Sequence, residues 1–159
     1  MAHPYTSQTR MGAVVGTTLI TALLDPDANG VAEITIATII DAADAEVDAR
    51  LRALYVVPFG AYSDTPGSNL CEPTITLIST HLAVGELFAR SRPGSPDQIY
   101  HREKALDLIE GILKGDIALD PTLATEVEAS ERRKTVGYLA TDPVFAGVDD
   151  DDAERMSGW

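Results

Sequence analysis

Residues 36–58 read IATIIDAADAEVDARLRALYVVP, and the periodicity of this stretch decides the fold. Ile36, Ile39, Ile40, Ala43, Val47, Leu51 and Leu54 recur at spacings of three and four, with Asp41, Asp44, Asp48 and Arg52 between them. That spacing puts one apolar stripe along an amphipathic helix. It predicts a helix from Ile34 to Tyr55, about 30 Å long. Pro58 stops it, because proline has no backbone N–H and clashes with the preceding turn. Glu46 with Arg50, and Asp48 with Arg52, are acid-before-base pairs four residues apart on the wet face. Asp41, Asp44 and Asp48 are expected to line that exposed face.

Just upstream stands Asp25-Pro26-Asp27-Ala28-Asn29-Gly30. Against the calcium-loop pattern, Asp25, Asp27 and Asn29 fill the first three ligand positions and Gly30 the turn position. Ile36 occupies the twelfth, where a bidentate Glu is required, so the ligand set is incomplete. The same residues make a tight turn, since Asp and Asn bond their own nearby backbone and Gly supplies a positive φ. The turn is the preferred reading, and a weak calcium-binding helix-loop-helix module is the alternative.

Outward from this pair, Thr9 to Leu24 reads as one short helix, with Gly12 and Gly16 lowering its propensity. Between Pro58 and Pro73 the chain is rich in Gly, Pro, Ser and Asn, which predicts a long loop. Phe59 and Tyr62 within it are candidate partner-binding aromatics. From Pro73 to Arg90 the helix is apolar over most of its circumference and should touch neighbours on several sides. Ser95-Pro96-Asp97-Gln98 opens the next helix, with Ser at N-cap, Pro at N1 and Gln at N3 of a capping box. That helix runs to Leu113, where Lys114 suits the C-terminal dipole and Gly115 the residue after the cap. A short extended piece, Asp116 to Leu119, follows.

The expected architecture is mainly α. It has about four helices in a small bundle, a long loop between the second and third helices, and an extended C-terminal tail. Residues 1–120 form the helical domain and residues 121–159 an acidic tail, disordered or ordered by a partner. The tail has no apolar stripe, yet Tyr138, Leu139, Val144 and Phe145 are spaced through it. Large apolar groups in such a segment suit anchors on another subunit or partner.

Composition narrows the function. At 159 residues the chain fits one domain with a real core. Its net charge of −13 argues against a protein that grips phosphates with Lys and Arg, while suiting a surface that lets DNA pass. Met11 to Leu24 is too short to span a bilayer and lacks the cleavage pattern of a secretory signal, so no membrane partner is expected. A single Cys71 excludes an internal disulfide and fits a reducing cytoplasm. No catalytic site emerges: Cys71, His81 and His101 stand in no nucleophile or zinc signature, and no phosphate-binding glycine loop is present. Neither metal nor cofactor is expected.

In chain order, then, come Tyr5 before a short helix, the Asp25 to Gly30 turn, Ala43-Asp44-Ala45-Glu46-Val47-Asp48 with Leu51, and Tyr55-Val56-Val57-Pro58. The loop to Pro73, an apolar helix, and Glu103-Lys104-Ala105-Leu106 with Gly115 follow. This order resembles the small head-tail connector, or adaptor, proteins of tailed bacteriophages and prophages, particularly their Mu-like branch. The likeness runs from Tyr5 to about residue 120, and the tail beyond Pro121 departs from it. The resemblance implies a structural adaptor, not an enzyme, made in the bacterial host cytoplasm and placed in the virion neck. Copies would form a dodecameric ring under the portal protein, extend the DNA channel, and join the capsid to the stopper or tail-completion protein. DNA would pass without sequence-specific binding, along an acidic channel face carrying Asp41, Asp44 and Asp48. Phe59, Tyr62, Tyr138, Leu139, Val144 and Phe145 would bind partners. A small acidic oligomeric interaction or regulatory protein unrelated to virions is the rival reading.

Overall fold

A computed structural model describes residues 4–25, 35–65 and 67–128. Met1–Val127 form one compact unit, to which all the described helices belong. Among the described residues there are five helices and no strand: α1 (Gln8–Val15), α2 (Thr17–Leu24), α3 (Ile36–Leu51), α4 (Pro73–Ser91) and α5 (Pro96–Lys114).

The mainly α class holds, with one more helix than expected because the first segment breaks at Gly16. Gly16 has φ 91°, a left-handed value that L side chains resist. Its N–H caps α1 on Gly12 O at 2.8 Å, and its carbonyl receives Ile20 N at 3.2 Å to start α2. One residue thus ends a helix and begins the next at a new angle.

α4 is the centre of the core, packed against α1, α2, α3 and α5. Ile75, Ile78, Val84, Leu87 and Phe88 are fully buried along it. Its N-terminus is capped by Glu72, whose carboxylate accepts from Thr74 N at 2.6 Å and Ile75 N at 3.0 Å. Such a cap satisfies two of the orphan N–H groups and favours the helix dipole. α5 starts as expected: Ser95 Oγ accepts from Gln98 N at 3.2 Å. The return arm of the box is displaced by one residue, with Gln98 Oε1 accepting from Gly94 N at 2.6 Å. Gly115 ends α5 in the left-handed conformation.

α3 ends at Leu51, short of the expected Tyr55. The reason is a tertiary competitor for its backbone. Val56 N donates to Thr125 O and Val127 N to Leu54 O, each at 2.8 Å, so residues 54–56 pair with residues 125–127. Tyr55 and Glu126 form the isolated antiparallel bridge between them. The compact unit therefore runs to Val127 and does not stop at residue 120, and Ala124 is buried in it. Asp116 to Leu119 is irregular, folded back so that Asp116 N and Ile117 N both reach Gly111 O.

Candidate partner-binding site

Tyr5 and Thr6 tie an N-terminal strap to α3, to α4 and to the loop after Pro58. The Tyr5 backbone N–H donates to Asp44 Oδ2 on α3 at 3.0 Å, and its hydroxyl donates to Asp48 Oδ1 at 2.6 Å. The same hydroxyl accepts from Phe59 N, at the start of the loop, at 2.9 Å. Ser79 on α4 gives its hydroxyl to the other Asp44 oxygen at 2.5 Å. One residue on, Thr6 and Thr80 share a hydroxyl contact of 2.7 Å. Thr80 already donates to Thr76 O at 2.6 Å, which makes Thr6 the donor.

Asp44 is only 5% exposed, and this burial pushes its carboxyl up to about 6. The Ser79 and Tyr5 hydrogen bonds hold it down in part, while the nearby Asp48 and Asp41 charges push it further up. Burial, with the hydrogen bond to Asp48 next, likewise raises the Tyr5 hydroxyl well above the usual tyrosine range.

The loop after Pro58 is held by the same strap. Tyr62 N donates to Pro4 O at 2.7 Å, and Leu70 N closes the loop's neck on Ala61 O at 3.1 Å. A Cβ on Gly60 would collide with the Leu70 carbonyl oxygen, so the two limbs approach at a distance only glycine allows. Further out, Asp64 Oδ1 accepts from Tyr62 Oη at 3.0 Å and Ser7 Oγ at 3.2 Å. The Arg10 guanidinium lies 5.8 Å from the Tyr62 ring centroid, a cation–π contact.

These facts revise the expected site. Phe59 is not an exposed aromatic: it is 4% exposed and meets the Tyr5 ring edge-on at 5.8 Å. Tyr62 is half-buried, folded onto Asp64 and Arg10. The acidic stripe divides into exposed Asp41, buried Asp44 and partly buried Asp48, because the strap covers two of the three carboxylates. Asp44 is therefore not on a wet face. Glu46 pairs with Arg50 at 2.7 Å as expected, and also with Arg102 of α5 at 3.3 Å, whereas Asp48 is taken by Tyr5. Tyr138, Leu139, Val144 and Phe145 lie outside the described residues, as do Asp27, Asn29 and Gly30 of the turn.

Sequence reasoning named Tyr5 only as the start of the likeness, and missed Arg10, Glu72, Ser79 and Thr80. Ser79-Thr80-His81 was the available signal, three successive polar residues inside an otherwise apolar helix, each of which needs a partner when buried. His81 finds His101, their Nδ1 atoms 2.9 Å apart, with Phe88 stacked on His101 and Tyr100 edge-on to it. Burial pushes His81 down to about 4, with the His101 and Lys104 charges acting the same way, and burial lowers His101 too. Cys71 is turned to the Glu72 carbonyl, and burial pushes its thiol up to about 11, where a thiolate nucleophile is scarce. Among the described residues no group of three or more His, Cys, Asp or Glu side chains could hold a metal ion. None of the described helices is long and apolar enough to cross a membrane.

The arrangement is thus a preformed surface of strap, loop and α1, fixed by hydrogen bonds to buried groups on α3 and α4. The model of the family described as bacteriophage Mu, Gp36, matches residues 5–137, a span that takes in all five helices and this surface. No curated protein and no solved structure matches the chain.

Proposed function

The chain belongs to the bacteriophage Mu Gp36 family, and from that premise we propose that this phage protein is a head-tail connector. In this reading copies form a ring beneath the portal protein in the virion neck, lengthen the DNA channel and present their other side to the stopper or tail-completion protein. The observation that carries it is the family match from Tyr5 onward, joined to the connector-like order of strap, acidic helix, Pro-bearing loop and apolar helix. The net charge of −13 supports a channel wall that DNA slides past, because like charge repels the backbone. Asp41 is exposed for that task, whereas Asp44 is withdrawn into the core and does not take part. The work asked of the protein is repeated subunit contact, which needs no cofactor.

Deleting the gene from its phage tests this. DNA-filled heads and separate tails should accumulate, and purified protein added to such heads should appear in negative stain as a ring with a central hole at the portal vertex. Tailed, infectious particles made without the protein would overturn the proposal.

A further inference from the structure

An open cavity of about 320 Å³ lies between α1, the loop and the first turn of α4, with Arg10, Tyr62, Asp64, Asn69 and Thr76 in its lining. Two groups in that lining keep polar capacity in reserve, although Arg10 lies against the Tyr62 ring. Arg10 has no carboxylate within ion-pairing distance among the described residues, and is the lining's only cation. The buried Thr76 hydroxyl makes no hydrogen bond, although it sits close enough to the Cys71 thiol, a weak acceptor, to offset part of that thiol's rise. Asp64 is occupied by the Tyr62 and Ser7 hydroxyls. Leu70, next in sequence to the lining residue Asn69, is 62% exposed, and Val14, one turn on from Arg10, is exposed as well.

The outer face of α5 has the opposite character. Ile99, Tyr100, Glu103 and Asp107 recur at helical spacing on the side away from buried Ala105, Ile109 and Ile112, and all four are exposed. Glu103 and Asp107 form no ion pair among the described residues, whereas Glu110 further along is paired with Lys114. Lys104 stands at the edge of this face. Tyr100, at 59% exposed, and Ile99 leave a large apolar pair beside the acids.

We propose that the α5 outer face of one copy seats on the strap-and-loop cavity of the next, with Glu103 and Asp107 directed to Arg10 and Ile99 and Tyr100 covering Leu70 and Val14. The occupant is a second copy because each surface supplies what the other lacks, an unpaired acid pair for an unpaired base. At a net charge of −13, copies repel unless such a match is made. Since the two surfaces differ, the contact is head-to-tail, and contacts of that kind close into rings when the rotation permits. The inference rests on the ring reading above and names the joint that would build it.

The test uses the full chain in four forms: wild type, Arg10→Glu, Glu103→Arg with Asp107→Arg, and all three changes together. Sedimentation velocity and negative stain, alone and with tail-less heads, report assembly, and circular dichroism melts report folding. Arg10→Glu and the paired reversal should each weaken assembly by at least about tenfold while keeping a single cooperative melt, and the triple variant should recover assembly. Wild-type-like rings from the separate reversals, or no recovery in a folded triple variant, would overturn this joint and leave the ring reading standing. A wild-type protein that stays monomeric alone and on heads would sink both.

Discussion

The backbone N–H of Tyr5 and the carboxylate of Asp44 meet at 3.0 Å across 39 residues of sequence, and this bond lies at the junction of strap, α3 and α4. Asp44 is nearly sealed from solvent, and its acid is pushed up to about 6 from 3.8 chiefly by burial. The folded chain therefore takes up a proton more readily than the unfolded chain does. Stability from this group is full below about 4 and is lost as pH rises through about 6.

Asp44→Asn follows as the first prediction. The amide oxygen can still accept from Tyr5 N–H and the amide NH2 can donate to Ser79 Oγ, so the geometry survives while the buried charge is removed. At pH 8 the variant should be more stable than wild type by an amount on the order of 2 kcal/mol, and its stability should no longer fall between pH 4 and 6 from this source. Asp44→Ala should do the reverse, since it strands two donors at about 1–3 kcal/mol each. Urea unfolding monitored by circular dichroism from pH 4 to 8 measures both. An Asn variant weaker than wild type at pH 8 would mean that the charge itself holds the strap.

The His81–His101 contact predicts a limb of opposite sign. Neutral rings bond Nδ1 to Nδ1 through one hydrogen, and a second proton in that contact makes one ring cationic and sets two N–H donors against each other. With His81 lowered to about 4 from 6.5, its stabilisation is complete above 6.5 and is lost as pH falls through about 4. This loss overlaps the Asp44 gain, so the two limbs partly cancel in wild type. Replacing both histidines by Gln in the Asp44→Asn background should leave a flat stability profile between pH 4.5 and 6.5, read by the same unfolding curves. A remaining acid limb of the original size would assign it to other groups.

How much of this was legible follows from what each residue answers to. α5 was readable because its start signal, Ser95-Pro96-Asp97-Gln98, acts within one turn of its own helix, and α4 was readable from Pro73 and the apolar run behind it, although its Glu72 cap went unread. The break at Gly16 was half legible, since a glycine announces lowered propensity but not the φ that it adopts. The end of α3 was not, because Thr125 and Val127 compete for the backbone of residues 54–56 from far along the chain. Asp44 was misread for the same reason. Its helical phase is ambiguous between wet and dry faces, and Tyr5 and Ser79, both distant in sequence, decide it. Phe59 looked exposed because loop composition says nothing of a strap laid across the loop.

Gly60→Ala tests the loop. The added methyl would strike the Leu70 carbonyl oxygen, which belongs to backbone and cannot swing aside as a side chain would. The neck bond from Leu70 N to Ala61 O should open and the loop should detach from Pro4, at a cost of about 2–4 kcal/mol. The cavity beside Arg10 is built on this loop, so assembly should fall together with the melt. Thermal melts and limited proteolysis around residues 60–70 give the readout. An unchanged melt would show that the neck can widen freely.

Truncation after residue 128 and truncation after residue 120 should give different proteins. The first keeps the whole compact unit, including the bridge of Tyr55 with Glu126 and the bonds Val56 N to Thr125 O and Val127 N to Leu54 O. It should retain helical circular dichroism and a single cooperative melt close to that of the full chain. The second removes buried Ala124 and both backbone bonds, and leaves Val56 N–H without its acceptor. Those losses amount to about 2–4 kcal/mol, since each broken backbone pair costs roughly 1–1.5 kcal/mol and the uncovered apolar surface adds to it. For a domain of this size that lowers the melting temperature by roughly 5–20 °C. Equal melts for the two truncations would mean that residues 121–127 lie on the unit without stabilising it, and that α3 would stop at Leu51 without them.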